Sequence, residues 1–308
     1  MEYITDREKL KIDNSIVTLG KFDGNHIGHQ LLFDKAAEIK NSQPEKGYTT
    51  VILTFDVQPM NVVCGTHLRT IQTSLEKRQL HDQPNIDYLV EWPFTKETMS
   101  MSPEEFVKNI LVGKFGVKAV VCGMDFCFGI HRSGNVDTLK ELGEKYGFAV
   151  YAFEKVKYKG QEVSSTRIRE AIAAGNIEDA NIMLGHPFSI ISTVMHGKHM
   201  GSKMGFPTIN FEASEDKILP PNGVYATKTI VDGEELISIT NVGNRPTFDD
   251  GNMRTVETNI LDFDKDIYGQ TAEVRFFKFI RPEMKFSSWE ELKAEIDRNK
   301  EEVRELTI

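Results

Sequence analysis

The amino-acid sequence predicts two domains, an α/β domain with a parallel sheet and a small antiparallel β-barrel followed by a C-terminal helix. Between Ile16 and Leu184, short β-branched runs alternate with stretches of helical periodicity, which is typical of a doubly wound, Rossmann-like sheet. From Phe188 to Ile280, short strand-like runs are separated by turns that contain Gly or Asp, as in a barrel. We place the domain boundary near residue 186, which gives domains of residues 1–186 and 187–308.

The individual elements follow from strand propensity, helical periodicity and capping signals. Ser102 precedes a proline and two glutamates, which predicts a capped helix that runs to about Val112. In the first domain, the predicted strands cover residues 16–19, 48–55, 88–92, 119–122 and 148–153, and the other helices begin near residue 27 and cover 73–81, 136–146, 163–174 and 177–184. In the second, the predicted strands cover residues 188–194, 208–211, 224–230, 236–242, 255–261 and 271–280, before a helix over 288–306.

Composition and charge restrict the class of protein. The 308 residues are 40% hydrophobic and 27% charged, which is typical of a globular protein, and the net charge of -9 argues against a nucleic-acid partner. No apolar run approaches the roughly 18 residues that span a bilayer, and the N-terminus lacks a signal-peptide pattern. The 3 cysteines have no Cys-x-x-Cys spacing. We therefore expect a cytoplasmic protein with no membrane partner, either a monomer or a weak homo-oligomer.

Zinc is not the preferred interpretation of the cysteines and histidines. Cys122 and Cys127 are near enough in the sequence to share a metal, but buried or half-buried thiols are the favoured interpretation. His196 and His199 have no third and fourth ligand at the spacing of a structural zinc site.

The stretch Val17–Leu32 carries the clearest chemical signal in the first domain. It places Gly24, His26, Gly28 and His29 between a predicted strand and a predicted helix. Parallel sheets bind nucleotides at the carboxyl ends of their strands, and a helix N-terminus favours anions. An isolated His-x-x-His pair is more often a metal site or two surface residues. Here the strand, the glycine turn and the helix favour imidazoles that hold a triphosphate and stabilise charge on a departing pyrophosphate.

A second segment, Gly123–Gly129, follows a predicted strand and is therefore expected at the same edge of the sheet. Asp125 could accept hydrogen bonds there, and the two phenylalanines of the segment could wall a planar ligand. A well-packed turn is the alternative interpretation.

A third segment opens the helix predicted over residues 163–174. Hydroxyls at a helix start cap it, and Ser165 and Thr166, with Arg167 or Arg169, could also hold phosphate. A capping box that includes Glu170 is compatible with that role.

These three segments resemble the motifs of a known family. Gly20-Lys-Phe-Asp-Gly-Asn-His-Ile-Gly-His29 is similar to the His-x-Gly-His signature of nucleotidyltransferases, and the set resembles the adenylyltransferase module of the bacterial bifunctional riboflavin kinase/FAD synthetases. The resemblance implies that His26 and His29 are catalytic. It also implies contacts with the nucleotide or flavin by Gly20, Phe22, Asp23, Gly24, Gly28 and Asp125, and with the ATP phosphates by Ser165, Thr166 and Arg169.

The first domain departs from that family in two places. Phe55-Asp-Val-Gln-Pro59 stands where the family usually has Phe-x-Pro-His-Pro, and Cys127 stands where it usually has Arg. Both changes remove polar groups from the expected ligand-binding edge.

The second domain contains a glycine-rich loop with two lysines. Its glycines are Gly197, Gly201 and Gly205. Such an arch can wrap a polyphosphate. After it, Thr208 and Asn210 alternate on a predicted strand, so they share a face, and their oxygens suit Mg²⁺. Taken alone, this pair and Glu257 would be interpreted as strand surface.

Several motifs in the second half together resemble the riboflavin kinase fold, in family order. They are the glycine arch with Phe206-Pro-Thr-Ile-Asn210, Pro221-Asn-Gly-Val-Tyr225, Asn241-Val-Gly-Asn-Arg-Pro-Thr-Phe248, Glu257-Thr-Asn-Ile-Leu-Asp-Phe263 and Ile267-Tyr-Gly269. The resemblance implies that Thr208 and Asn210 hold Mg²⁺ against ATP, that Gly197, Gly201, Gly205 and Pro207 contact ATP, and that Glu257 orients or deprotonates the ribityl 5′-hydroxyl. Ser202 and Asn259 replace an Arg and a His that are usual in the family.

The function expected from both resemblances is synthesis of flavin nucleotides. ATP and Mg²⁺ would convert riboflavin to FMN in the second domain, and ATP would convert FMN to FAD in the first. The alternatives are a riboflavin kinase with a weakened or inactive adenylyltransferase domain, and a non-catalytic regulator that binds flavin or nucleotide. An enzyme is favoured because a pure binder needs neither a base nor metal ligands, and the chain retains His26, His29, Thr208, Asn210 and Glu257.

Overall fold

The computed structural model describes residues 1–4, 10–56, 65, 67–195, 207–245 and 253–306. The chain forms two compact units. The first consists of Met1–Leu68 and Lys77–Ser164, and the second consists of Arg69–Glu76 and Ser165–Ile308. Within the described ranges, no helix is long and apolar enough to cross a membrane.

The first unit is built on a parallel sheet, as the sequence predicts, but the sheet has six strands where the sequence predicted one fewer. Its strands are β1 (Glu2–Ile4), β2 (Ser15–Leu19), β3 (Thr49–Phe55), β4 (Tyr88–Trp92), β5 (Val117–Gly123) and β6 (Ala149–Phe153). Their order across the sheet is β1-β4-β3-β2-β5-β6. The helices that follow these strands are α1 (Ile27–Ser42), α2 (Ser74–His81), α3 (Lys96–Ser100), α4 (Pro103–Glu105) and α5 (Val136–Tyr146).

Both faces of this sheet are buried. Side chains alternate along a strand, so Ile16 packs with Leu32 and Phe33 of α1 on one face, whereas Val17 joins the cluster that contains Leu111 on the other. This burial on two sides explains why the strands are continuous β-branched runs rather than alternating patterns. The doubly wound prediction is confirmed.

The predicted helix after Ser102 differs from expectation in its second half. Ser102 and Glu105 form the capping box, but Phe106–Val112 is π-helical. The Gly113 N–H donates to the Lys108 carbonyl at 3.0 Å, five residues back. A Cβ at Gly113 would lie 2.6 Å from the Asn109 carbonyl oxygen, so this wide turn requires glycine at its end.

The sequence pattern also gave no sign of β1 or of the small hairpin β7 (Lys157–Tyr158) and β8 (Gln161–Glu162).

The second unit is built on a six-stranded antiparallel sheet. Its strands are β9 (Phe188–Thr193), β10 (Ile209–Glu212), β11 (Gly223–Val231), β12 (Glu234–Arg245), β13 (Met253–Ile260) and β14 (Thr271–Arg281), in the order β10-β13-β12-β11-β14-β9. The Met195 N–H donates to the Asn210 carbonyl at 2.9 Å, which brings the two edge strands together and nearly closes the barrel. The helices are α6 (Ser165–Ala173), α7 (Ile177–Leu184) and the C-terminal α8 (Trp289–Glu305).

A ladder of buried hydroxyl groups crosses the middle of this sheet. Thr227, Thr229, Ser238, Thr240 and Thr258 are fully buried. Their hydroxyls bond to one another over 2.8–2.9 Å. Each hydroxyl can donate and accept, so the group satisfies itself without water or charge.

A buried ion pair fastens the segment 69–76 to the barrel within the second unit. The Lys217 ammonium lies 2.5 Å from a Glu76 carboxylate oxygen, and both side chains are 2% exposed. Lys217 also donates to the Ile71 carbonyl at 2.8 Å, and Glu76 accepts from the Ile191 N–H at 2.9 Å. No local sequence pattern predicted this pairing, because its partners are 141 residues apart.

We expect Lys217→Met to lower the free energy of unfolding of the second unit by about 3–5 kcal/mol, because it leaves the Glu76 carboxylate buried without a countercharge. Urea unfolding followed by fluorescence in a Trp92→Phe background measures this, since Trp289 is then the remaining tryptophan of the 2 in the chain. Lys228→Met is the matched control. It breaks the Lys228–Glu235 pair, whose side chains are 20% and 42% exposed, and should change stability by under ~1 kcal/mol. Equal losses in both variants would contradict the assignment.

Candidate active sites

His26 and His29 of the first unit meet at the N-terminus of α1. His26 is the N-cap residue with extended backbone angles (φ -68, ψ 168), and its side chain makes no capping bond. The imidazole rings of His26 and His29 stack with their centroids 3.5 Å apart and an angle of 19° between the planes. The turn from β2 into α1 therefore presents both rings at the carboxyl end of the parallel sheet.

Phe22 supports this histidine pair from beneath. Its side chain is fully buried and meets the His29 ring edge-on, with 5.1 Å between centroids. A Cβ at Gly20 would lie 2.7 Å from the Phe22 ring, and a Cβ at Gly28 would lie 3.2 Å from the His26 ring. Both glycines thus allow the close approach of an aromatic ring. Phe22 has no exposed surface with which to meet a ligand, so in this structure it packs behind the histidines.

The rest of the turn is similarly tight. Asp23 is buried, and Gly24 has a φ of 89°, which few side chains adopt. His81 of α2 is also buried and packs edge-on against Phe33, with 5.2 Å between ring centroids. Sequence reasoning missed His81, since it lies on a helix with no motif around it.

The histidine pair is uncharged near neutral pH. Burial lowers the pKa of His26 from 6.5 to about 4. Burial, with smaller contributions from His26 and His81, lowers the pKa of His29 well below its usual value. Among the described residues, no group hydrogen-bonds to the buried Nδ1 atom of His26 or of His29. Two neutral rings beside a helix N-terminus can donate N–H groups to phosphate oxygens without carrying charge.

Asp125 lies in the loop after β5, as predicted, and it has a partner that sequence reasoning missed. Its carboxylate contacts the Lys155 ammonium at 3.0 Å, and Lys155 also lies 3.2 Å from Glu162. Lys155 follows β6, the neighbour of β5, so both residues leave the sheet at the same edge. The contact between Lys155 and Asp125 could have been predicted only if β5 and β6 were known to be adjacent.

The phenylalanines of this loop pack against the protein core. Phe126 and Phe128 are stacked 5.5 Å apart, Phe128 is buried, and both join the cluster on one face of the sheet. Cys122 is buried, which raises the pKa of its thiol to about 12, and Cys127 is half-buried. No cluster of three His, Cys, Asp or Glu side chains able to hold a metal occurs in the described part of the chain.

The three residues predicted to hold phosphate at the start of α6 belong to the second unit. Ser165 is the first residue of α6, and the Arg169 guanidinium donates to the Thr166 hydroxyl at 3.1 Å. The helix start that the sequence predicts is present, and it gathers two hydroxyls and a guanidinium on one turn.

Strand register in the second unit brings together Asn210, one of the candidate metal ligands, and the candidate base Glu257. Asn210 of β10 lies directly opposite Glu257 of β13, and Glu257 lies opposite Asn241 of β12. Residues opposite each other share a face of the sheet. Thr208 is two residues before Asn210 and is half-buried, whereas Glu257 is exposed. Hydroxyl, amide and carboxylate oxygens are the donors that Mg²⁺ prefers, and an incomplete protein set suits an ion shared with phosphate.

Two residues beside this group were not predicted as site residues. Asn241 faces Glu257, as described, and the Glu283 carboxylate lies over Gly243, where a Cβ would be 2.7 Å from its oxygen. Asn222 donates to the other Glu283 oxygen at 3.1 Å. The motifs around Asn222 and Asn241 were visible in the sequence, but nothing local connected them with Glu283.

Part of the predicted phosphate-binding loop lies outside the described residues. The residues of this region that are not described include Gly197, Gly201, Gly205, His196, His199 and Ser202. In the first domain, residues 57–59 also lie outside the described residues. Pro207, which ends the loop, is described and exposed.

Comparison with known proteins finds one family match in each half of the chain. The family model described as FAD synthetase matches residues 8–167, and the one described as riboflavin kinase matches residues 184–307. A bifunctional riboflavin kinase/FMN adenylyltransferase of Listeria monocytogenes is 36% identical over 94% of this chain and 92% of its own length. The chain belongs to this family. The protein of the same description from Escherichia coli is 32% identical over 95% of this chain and 93% of its own length.

The whole chain also has a close structural counterpart. The crystal structure of a protein described as a macrolide-efflux protein from Streptococcus pneumoniae superposes with a TM-score of 0.87. It is 29% identical, and the match covers 99% of both chains. Both units therefore recur together in that protein.

The lowered pKa of His26 predicts how stability depends on pH. The unfolded chain binds a proton near the ordinary pKa of 6.5, whereas the folded chain binds it only near about 4. The stabilisation from neutral His26 is therefore present above 6.5 and is lost as the pH falls through this window. We expect the melting temperature of His26→Ala to fall less steeply than that of the wild type across the same window. Parallel slopes in thermal denaturation would refute the burial-induced shift.

Proposed function

We propose that this member of the family phosphorylates riboflavin with ATP to give FMN and then transfers AMP from ATP to FMN to give FAD and pyrophosphate. The observation that carries the proposal is that each unit contains a candidate group of side chains suited to one of the two reactions. The histidine pair suits phosphate binding, and the Asn210–Glu257 register places a carboxylate beside oxygen ligands. The two family matches and relatives that align over nearly the whole chain support both halves.

In the kinase reaction, Glu257 acts on the ribityl 5′-hydroxyl. The hydroxyl proton passes to the Glu257 carboxylate, the oxygen bonds to the γ-phosphorus of ATP, and the bond from that phosphorus to the bridging oxygen breaks, which releases ADP. Thr208 and Asn210 would hold Mg²⁺, which neutralises charge on the ATP phosphates when bound. Glu257 and Asn210 are fixed opposite each other, so base and metal ligand keep a constant separation.

In the adenylyl transfer, the nucleophile is a phosphate oxygen of FMN and needs no base. It bonds to the α-phosphorus of ATP, and the bond from that phosphorus to the departing pyrophosphate breaks. His26 and His29 donate N–H groups to the phosphate oxygens, and the N-terminus of α1 adds the positive end of its dipole. Their stacked arrangement is held by Phe22 before the ligand arrives, so little reorganisation is required.

The proposal also covers the domain boundary, the cellular compartment and the oligomeric state. We place the boundary between the adenylyltransferase and kinase domains near residue 186, which lies after the end of the FAD synthetase match at residue 167 and close to the start of the riboflavin kinase match at residue 184. We assign the enzyme to the cytoplasm, as a monomer or weak homo-oligomer without a nucleic-acid or membrane partner. The 3 cysteines without Cys-x-x-Cys spacing and the net charge of -9 support that assignment.

Chromatography of flavins after incubation with ATP and Mg²⁺ tests the proposal directly. Riboflavin should be converted to FMN and then FAD, and FMN supplied alone should be converted to FAD. If FMN accumulates and no FAD forms in either reaction, the protein has the kinase activity alone. No product from either flavin would refute enzymatic activity and favour a binding protein.

We expect Glu257→Gln to lower the rate of FMN formation by roughly 100-fold or more, because the amide cannot accept the hydroxyl proton. Adenylylation of supplied FMN should be unchanged, which serves as the internal control for folding. Glu234→Gln is the matched control, since Glu234 is an exposed residue at the start of β12, in a surface ion pair with Lys265. Kinase activity equal to wild type in Glu257→Gln would exclude Glu257 as the base.

The double variant His26→Ala/His29→Ala should show the opposite pattern. FAD formation should be lost because the phosphate donors are gone, while riboflavin phosphorylation continues at the wild-type rate. Both are measured in the chromatographic assay. Loss of both activities together would show that the two sites do not act independently.

A further inference from the structure

The described residues contain one side chain that joins the start of β10 to the strand that carries Glu257. The Asn259 amide nitrogen donates to the Pro207 carbonyl oxygen at 2.7 Å. Asn259 is two residues after Glu257 on β13, so both side chains leave the same face of the strand. Pro207 immediately precedes Thr208, the candidate metal ligand.

We propose that Asn259 is a positioning residue that holds Thr208 in register with Glu257. This inference rests on the kinase half of the proposed function and adds a residue to its machinery. Backbone pairing between β10 and β13 extends from Ile209–Thr258 to Asn210–Glu257 and beyond, and it begins only at Ile209. Thr208 therefore lies just outside the backbone ladder that fixes Asn210.

Proline explains why a side chain is needed at this place. Pro207 has no N–H group, so it cannot donate to a neighbouring strand. Its carbonyl belongs to the planar peptide group that leads into Thr208. A hydrogen bond to that carbonyl fixes the plane, and with it the direction in which the Thr208 hydroxyl is presented.

The surroundings of the Asn259 amide agree with this role. Its oxygen is buried, and among the described residues no donor reaches it. A buried acceptor without a partner costs about 1–3 kcal/mol, so the position is not optimised for stability. The hydroxyl ladder one residue away, which includes Thr258, is fully satisfied by comparison. We therefore attribute the position of the Asn259 amide to the hydrogen bond that its nitrogen donates to the Pro207 carbonyl.

The test compares variants that keep or remove the donor. Asn259→Asp has the same shape but replaces the amide N–H₂ by a carboxylate oxygen, which repels the Pro207 carbonyl. Asn259→His keeps an N–H donor. The matched control is Asn181→Asp, because the Asn181 amide makes an equivalent bond to the Phe276 carbonyl at 2.8 Å, at a different part of the same unit.

A dead-end complex gives a readout without turnover. Riboflavin fluorescence is titrated with Mg²⁺ in the presence of ADP, which cannot donate a γ-phosphate. We expect Asn259→Asp to raise the half-saturating Mg²⁺ concentration roughly tenfold, the equivalent of one lost hydrogen bond. Asn259→His should keep the half-saturating Mg²⁺ concentration close to the wild-type value. Asn181→Asp should lower the melting temperature but leave the Mg²⁺ titration unchanged.

Kinetic measurements complete the test. In riboflavin phosphorylation, Asn259→Asp should raise the KM for Mg–ATP, while adenylylation of FMN is unaffected. A Mg²⁺ titration and a KM that equal those of the wild type would overturn the positioning role while leaving the proposed function intact. Absence of Mg²⁺-dependent quenching in the wild type would instead refute the kinase function on which the inference rests.

Discussion

Hydrogen-bonded register between neighbouring strands is the constraint on which both candidate sites depend. In the parallel sheet, β2 and β5 are paired so that their carboxyl ends coincide, which brings the turn with His26 and the loop with Asp125 to one edge. In the antiparallel sheet, register sets Asn210 opposite Glu257 and Glu257 opposite Asn241. In the antiparallel sheet, a slip of one residue would move the side chains of the slipped strand to the other face. The buried alternate residues, such as Val256 and Thr258, make such a slip unfavourable.

In the function that we propose, the two units would bind phosphate in opposite ways. The first buries its histidines on an aromatic support, which removes their charge and leaves them as oriented N–H donors at a helix N-terminus. The second presents oxygens at a more exposed strand surface, where an ion shared with phosphate can complete the ligand set. Transfer to an FMN phosphate needs no base, so neutral donors suffice in the first unit. An alcohol nucleophile must lose a proton, and we propose that the Glu257 carboxylate accepts it.

Local patterns predicted most of the fold, and contacts between distant segments account for what they missed. Elements with strong periodicity or capping, such as β4, α5 and α7, have the predicted bounds. The Glu76–Lys217 pair and the Lys155–Asp125 contact were not predictable, because each depends on which elements become neighbours. The π-helical turn before Gly113 depends on backbone packing that hydrophobic periodicity does not report. Motifs located the candidate site residues, but the burial of Phe22 became visible only in three dimensions.

In the second unit, buried polar groups differ in whether all of their hydrogen bonds are satisfied. The hydroxyl ladder and the Glu76–Lys217 pair are internally satisfied, so each contributes to stability and specificity without a ligand. Asn259 differs, since its oxygen is buried without a donor in the described part of the chain while its nitrogen holds the Pro207 carbonyl. Selection for stability alone would favour a side chain that leaves no polar atom unsatisfied. The residue that breaks this rule lies two positions from Glu257 and contacts the peptide group that leads into Thr208, where geometry matters more than stability.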